Sequence, residues 1–153
     1  MGRSHDDSTA DQLALTRLVT EYAYAIDERD WDRLDRVFTA DAYIDYRAMG
    51  GIDGPYPRIK AWLGEALKPF PGYMHFIGNL LFDVAGDSAT GKVACLNPMR
   101  VPKPDGGDEM MLLGLWYHDR YRRTPDGWRI VERVEKKSFD YNMPDWMRRA
   151  LKL

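Results

Sequence analysis

A single cysteine, Cys95, stands among the 153 residues, which excludes an internal disulfide and any cysteine-based zinc site. Its setting, KVACLN, reads as a strand, where a lone thiol is core filler more often than a nucleophile. No apolar run approaches the roughly 20 residues of a membrane span, and the opening MGRSHDDSTAD has no signal-peptide apolar stretch. The expectation is a cytoplasmic protein without a membrane partner. Charge of one sign is scarce as well: the net charge is −2, with acids and bases interspersed, so the footprint of a nucleic-acid binder is missing. The three histidines, at 5, 75 and 118, lack metal-ligand spacing, and no metal site is expected. GGIDGP lacks the strand–Gly–helix context of a nucleotide loop. The run RVEKK reads as a solvated stretch of strand. There is no internal repeat and no low-complexity segment.

What is present suits one domain spanning 1–153, with residues 1–8 expected to be mobile. An apolar content of 44% and an aromatic content of 12% can fill such a core. Between Ser8 and Ile26, Leu15, Leu18, Val19, Tyr22 and Ile26 recur at helical spacing, with Ser8 or Thr9 as cap. Asp30 caps a short second helix, WDRLDRVF, and AYIDYRA reads as a strand. GGIDGPYP marks a turn, and a third helix through IKAWLGEAL is ended by Pro69 and Pro71. From Gly72 the period becomes that of strands: YMHFIGNLLFDVAG, TGKVACLNPMRV, EMMLLGLWYHDRYRR and WRIVERVEKKSFDY, joined by GDSAT, PKPDGGD and TPDG. The tail PDWMRRALKL predicts a last helical turn. Helices first and a long antiparallel meander afterwards is an α+β order.

Strand 73–82 is apolar on both alternating sets, with Tyr73, Ile77 and Leu81 on one and Met74, Phe76, Leu80 and Phe82 on the other. Strand 110–117 behaves likewise. An antiparallel sheet usually keeps one wet face, so a homo-oligomer covering the second is expected.

The stretch YAYAIDERDWDRLDRVFTADAYIDYRA resembles the opening of the scytalone dehydratases, in the SnoaL-like group of the nuclear transport factor 2-like superfamily. MHFIGN and RVPKP fit the same template. The resemblance implies a cone-shaped barrel: a strongly curved mixed or antiparallel sheet packed against three N-terminal helices. It further implies an Asp at the end of the first helix paired with a His in a closed apolar pocket, which fall here on Asp27 and His75, and a pocket tyrosine on Tyr46. Bile-acid 7α-dehydratase and hexachlorocyclohexane dehydrochlorinase resemble the chain at another point, an Arg five residues after a Trp, matching Trp128 and Arg133. The bile-acid enzyme also has a tyrosine five residues before its Asp, matching Tyr22. Relatives with the dyad suggest a trimer, and dimers occur in the superfamily. The scytalone pattern departs at Ile26, where a tyrosine is expected, at Asn97, where a second histidine is expected, and near Leu115 and Tyr117. The substrate is therefore expected to differ.

These residues suit proton transfer. A neutral imidazole can take and return a proton near neutral pH, and a carboxylate on its other nitrogen fixes the tautomer. The implied activity is a cofactor-independent lyase, of dehydratase type, acting on an apolar cyclic or polycyclic hydroxy-carbonyl compound. His75 would move the proton, Asp27 orient it, and Tyr46, Tyr22 or Arg133 hold the carbonyl. A ketosteroid-type isomerase, a polyketide cyclase or a non-catalytic binding module stand as alternatives. Trp62, Phe70, Tyr73, Asn97, Met99, Met110 and Trp116 are the expected pocket lining.

Each residue also has a plainer reading. His75 can be a satisfied core histidine, and Asp27 can bond backbone amides at a helix end. Tyr22 can be core packing; it lies roughly 140° round an ideal helix from Asp27, so both reach one pocket only if the helix end unwinds. Strict alternation groups Arg133 with Arg129, Val131, Glu135 and Lys137, opposite Trp128, Ile130 and Val134. That makes a surface ion pair with Glu135 or Glu132 as natural as a pocket role. His118 is expected at an interface. Whether 142–153 closes the pocket stays open, with Trp146 and Met147 as candidate lid residues.

Overall fold

The computed structural model describes residues 5–153, with side chains from Ser8 onward. Helix α1 (His5–Asp27) is followed by a 3-10 helix (Trp31–Arg36), β1 (Phe38–Asp45), a second 3-10 turn (Arg47–Met49), β2 (Asp53–Pro55) and α2 (Tyr56–Ala66). Then come β3 (Gly72–Tyr73), β4 (Phe76–Ala85), β5 (Ser88–Pro102), β6 (Asp108–Thr124), β7 (Gly127–Tyr141) and α3 (Asp145–Leu151). Of the residues expected to be mobile, 1–4 lie outside the described residues, and from His5 the backbone is helical.

Seven strands form one sheet in the order β2-β1-β7-β6-β5-β3, with β4 also pairing β5. All pairs are antiparallel except β1 with β7, which run parallel. The result is the α+β cone expected from the sequence: a curled mixed sheet whose concave side receives the helices. The second of the three expected helices is a tight 3-10 segment, held by Val37 N–H donating to the Leu34 carbonyl at 2.9 Å and capped by the Asp30 side chain. Strand β1 ends at Asp45, one residue before Tyr46, and the expected turn GGIDGPYP contains β2.

The predicted stripe of α1 is buried: Leu15, Leu18, Val19, Tyr22 and Ile26 all join the core. Full burial of a Leu or Val side chain contributes about 1.5–3 kcal/mol, so this face holds the helix on the sheet far more firmly than backbone propensity alone. Along β5 and β6 the odd-numbered residues from Val93 to Val101 and from Met111 to Tyr121 face inward. Gly127, at φ +100°, closes the β6–β7 turn in a conformation that favours glycine.

Bulges break the alternation in two places that matter. In β7, Ile130 pairs with Tyr121 and Glu132 with Arg120, leaving Val131 without a partner. The extra residue reverses the parity of the strand beyond it, so Arg133 and Glu135 join Trp128 and Ile130 on the inner face. In β4, Gly78 pairs with Ala94 and Leu81 with Lys92, so Asn79 and Leu80 share the place opposite Val93, with Asn79 at φ +49°. The outer face carries apolar rows such as Phe76–Leu96–Gly114–Phe139 across four strands, and Phe76 is 67% exposed. Among the described residues, no helix is long and apolar enough to cross a membrane.

Candidate active site

The concave face of the sheet, α1, α2 and α3 line a cavity of about 170 Å³. Its sheet wall carries Asn97, Met99, Met111, Leu113, Tyr117 and Glu135, and its helical wall carries Tyr22, Ile26, Trp62 and Leu63, joined by Phe70 from the segment after α2. The C-terminal segment covers it with Met143, just ahead of α3, and with Met147 and Leu151 of α3, while Trp146 remains 44% exposed. The C-terminal segment thus closes the cavity through the 143/147/151 stripe, not through Trp146. Gly50 makes this docking possible: at φ +85° it lies so close to Leu151 that a Cβ there would meet the leucine side chain at 2.7 Å.

At one end of the cavity the carboxylate of Asp27, the last residue of α1, grips His75 twice. It accepts the His75 backbone N–H at 2.9 and 3.1 Å and contacts ring Nδ1 at 2.7 Å. A helix C-terminus disfavours a carboxylate, and these two donors offset that penalty. With Nδ1 engaged, Nε2 is the ring nitrogen left to the cavity, which His75 lines and Asp27 does not. The helix therefore has no need to unwind: Tyr22 reaches the cavity directly, and Asp27 reaches it through His75. Tyr73 packs edge-on against His75 with centroids 6.2 Å apart and donates its hydroxyl to the Ile26 carbonyl at 3.0 Å. It supports the histidine and is absent from the lining, contrary to expectation.

Further along, the Tyr22 and Tyr46 hydroxyls share a hydrogen bond of 2.8 Å. Burial holds the Tyr22, Tyr46 and Tyr117 phenols above their ordinary value, so all three are neutral donors at physiological pH. Asn97 Nδ2 donates to the Met74 carbonyl at 2.9 Å, tying the strand beside His75 to β5. Trp62 lines the cavity with its ring 6.3 Å from that of Tyr46.

Arg133 sits elsewhere than either expectation. It is neither a surface ion-pair residue nor part of the lining. Its guanidinium lies 4.1 Å from the Tyr22 ring centroid and 4.0 Å from that of Tyr117, and it is paired with Asp119 at 2.6 and 2.8 Å. Met110 and Trp116 also lie off the cavity. Both fall on the outer face of β6, Met110 49% exposed and Trp116 beneath the Lys92 ammonium at 5.0 Å. His118 is on that outer face as well. Cys95 is buried, and burial pushes its thiol up to about 12, which leaves it unreactive.

Glu135 is a site residue that strand alternation does not reveal. It is buried on the cavity wall, and burial raises its carboxyl to about 8 against the opposing pull of Arg133 and the Met49 backbone N–H. Among the described residues, no cluster of three or more His, Cys, Asp or Glu is placed to hold a metal ion.

A model of the SnoaL-like domain matches residues 7–134. The chain belongs to the SnoaL-like family. This SnoaL-like chain is 53% identical over 136 residues to an uncharacterized protein of Mycobacterium tuberculosis, covering 88% of this chain and 90% of that one. It is 30% identical over 116 residues to a scytalone dehydratase-like protein of Emericella nidulans, covering 71% of this chain and 50% of the other. Its fold matches a hexachlorocyclohexane dehydrochlorinase with a TM-score of 0.78 at 20% identity, over 93% of this chain and 95% of that one.

Proposed function

We propose that this SnoaL-like protein is a cofactor-independent lyase that removes water from a small, apolar, cyclic hydroxy-carbonyl compound. The observation that carries the reading is the Asp27–His75 pair opening onto a largely apolar cavity that also holds neutral phenols. His75 Nε2 takes the proton α to the carbonyl, while Asp27 holds the ring and stabilises the imidazolium. The Tyr22–Tyr46 pair donates to the carbonyl oxygen as enolate character develops. The imidazolium then returns the proton to the departing hydroxyl, which leaves as water. Low polarity around the pair strengthens each of these interactions. A dehydratase-like relative and a fold neighbour named as a dehydrochlorinase, whose name denotes another elimination, lend the reading support.

Cavity size narrows the substrate. A dry cavity of about 150 Å³ takes a benzene ring, so the space of about 170 Å³ suits one or two rings more than a steroid.

Mass spectrometry of hydroxylated monocyclic and bicyclic ketones, incubated with wild type and His75→Ala, tests the proposal. Loss of water with wild type alone is expected, with turnover falling about 10²–10⁴-fold in the variant. A product of unchanged mass would replace the lyase by an isomerase, and turnover unaffected by His75→Ala would overturn the site.

We also propose that a second copy covers the apolar outer face of β4–β7, because exposed apolar side chains, among them Phe76, Leu96, Met110, Phe139 and Tyr141, gather there. Light scattering at micromolar concentration is expected to give more than the monomer mass, and a monodisperse monomer would overturn this.

A further inference from the structure

The reaction proposed above leaves a buried carboxyl group on the cavity wall unused. Glu135 lies on the inner face of β7 only because the bulge at Val131 reverses the strand's parity. Its residue is 8% exposed, and its Oε2 has no hydrogen-bond partner. A buried carboxyl oxygen without a partner carries a desolvation cost of about 1–3 kcal/mol, more if charged. Such a group is tolerated when a ligand supplies the missing contact.

Position adds to this. From Glu135 on β7 to His75 beside β4, the curled sheet crosses three strand spacings, roughly 14 Å along its surface. The two residues therefore stand on opposing sides of the concave face, with the cavity between them. Around Glu135 are Arg133 on its own strand, Asp45 on β1, Tyr117 on β6, Cys95 on β5, Tyr22 on α1 and Tyr46 beside the 3-10 turn. Of these, Arg133 favours the ionised carboxyl and Asp45 opposes it, while the buried phenols and thiol are neutral at pH 7.

We propose that Glu135 is a ligand-binding residue of this cavity, donating a hydrogen bond from its protonated carboxyl to the carbonyl oxygen of the substrate on the wall opposite His75. The inference rests on the carbonyl substrate proposed above. It names the group that holds the oxygen end of the molecule, next to the Tyr22–Tyr46 pair, while His75 works at the C–H end. The site consequently selects neutral acceptors such as ketones and enones and disfavours carboxylates, which would meet a carboxyl group and force its proton to be shared or lost.

Only the protonated form donates, so carbonyl binding is intact well below pH 8 and is lost as pH rises through about 8. Infrared difference spectroscopy of the full-length protein, wild type minus Glu135→Gln, tests this with cyclohex-2-enone as the probe. A protonated-carboxyl stretch is expected at pH 6.5, disappearing with a midpoint near pH 8. Saturation with cyclohex-2-enone should move that band to lower frequency and shift its midpoint upward. Enone affinity should weaken up to about tenfold between pH 6.5 and pH 9.5 in wild type and stay level in Glu135→Gln. The same band and shift are expected in His75→Ala, so a failed elimination reading and a failed Glu135 reading give different results. If Glu135→Gln does not fold, Glu135→Asp serves as reference, and the wild-type spectra with and without enone carry the test unaided. No protonated-carboxyl band at pH 6.5, or a band that the enone leaves unmoved, would overturn the proposal.

Discussion

Tyr22 touches two acid–base pairs of nearly the same chemistry and opposite circumstances. On one side its ring meets His75, held by Asp27; on the other it lies on the Arg133 guanidinium, held by Asp119. The Arg133–Asp119 pair has 0% exposure on both side chains, whereas His75 and Asp27 keep 9% and 19%. Arginine does not give up its proton in a protein, so its pair is a fixed dipole sealed between aromatic rings. Histidine exchanges its proton near neutrality, and its pair opens onto a cavity. Sealing a charge that cannot titrate makes a structural element; leaving a titratable group at the edge of a cavity makes a proton carrier. The comparison therefore separates, within one core, the pair that fastens the fold from the pair proposed to act on a substrate.

The larger effect should come from the sealed pair. Asp119→Ala leaves the Arg133 guanidinium buried without its countercharge and removes the acceptor of the Tyr121 hydroxyl. Breaking a buried pair by removing one partner costs about 3–5 kcal/mol, so urea denaturation should show a loss of that size. A loss below about 1 kcal/mol would mean that the aromatic rings around Arg133, not Asp119, supply most of its compensation, and the contrast between the two pairs would shrink.

How far this arrangement can be read from the chain depends on local regularity. The buried stripe of α1 and the four long strands announce themselves by period, and Asp27, His75, Tyr22 and Tyr46 come together where a family resemblance puts them. Arg133 and Glu135 are hidden by a single unpaired residue, Val131. Alternation counted through it assigns both to the wrong face, and no turn residue marks the bulge. Met110 and Trp116 elude placement for a different reason: β6 is apolar on both alternating sets, so parity cannot tell the cavity side from the outer side. At the C-terminus the signal is present in the i, i+4, i+8 spacing of Met143, Met147 and Leu151, but the larger Trp146 masks it.

The smaller effect on stability should come from the open pair, and it is the sharper test. Asp27→Asn preserves the shape of the side chain but replaces one carboxylate oxygen by an amide that donates. Both Asp27 oxygens face the His75 backbone N–H, so the amide meets a donor wherever it turns, and Nδ1 loses a charged partner. The cost to folding should be about 1–2 kcal/mol, near that of one hydrogen bond to a charged group. Turnover, once a substrate is in hand, should fall at least about a hundredfold, because the imidazolium loses its countercharge and the ring its fixed tautomer. The two numbers must be read together. Loss of turnover with a small shift in the denaturation midpoint assigns Asp27–His75 to chemistry and Asp119–Arg133 to the fold. A stability loss as large as that of Asp119→Ala, with turnover unchanged, would make both pairs structural and leave the cavity without its proposed base.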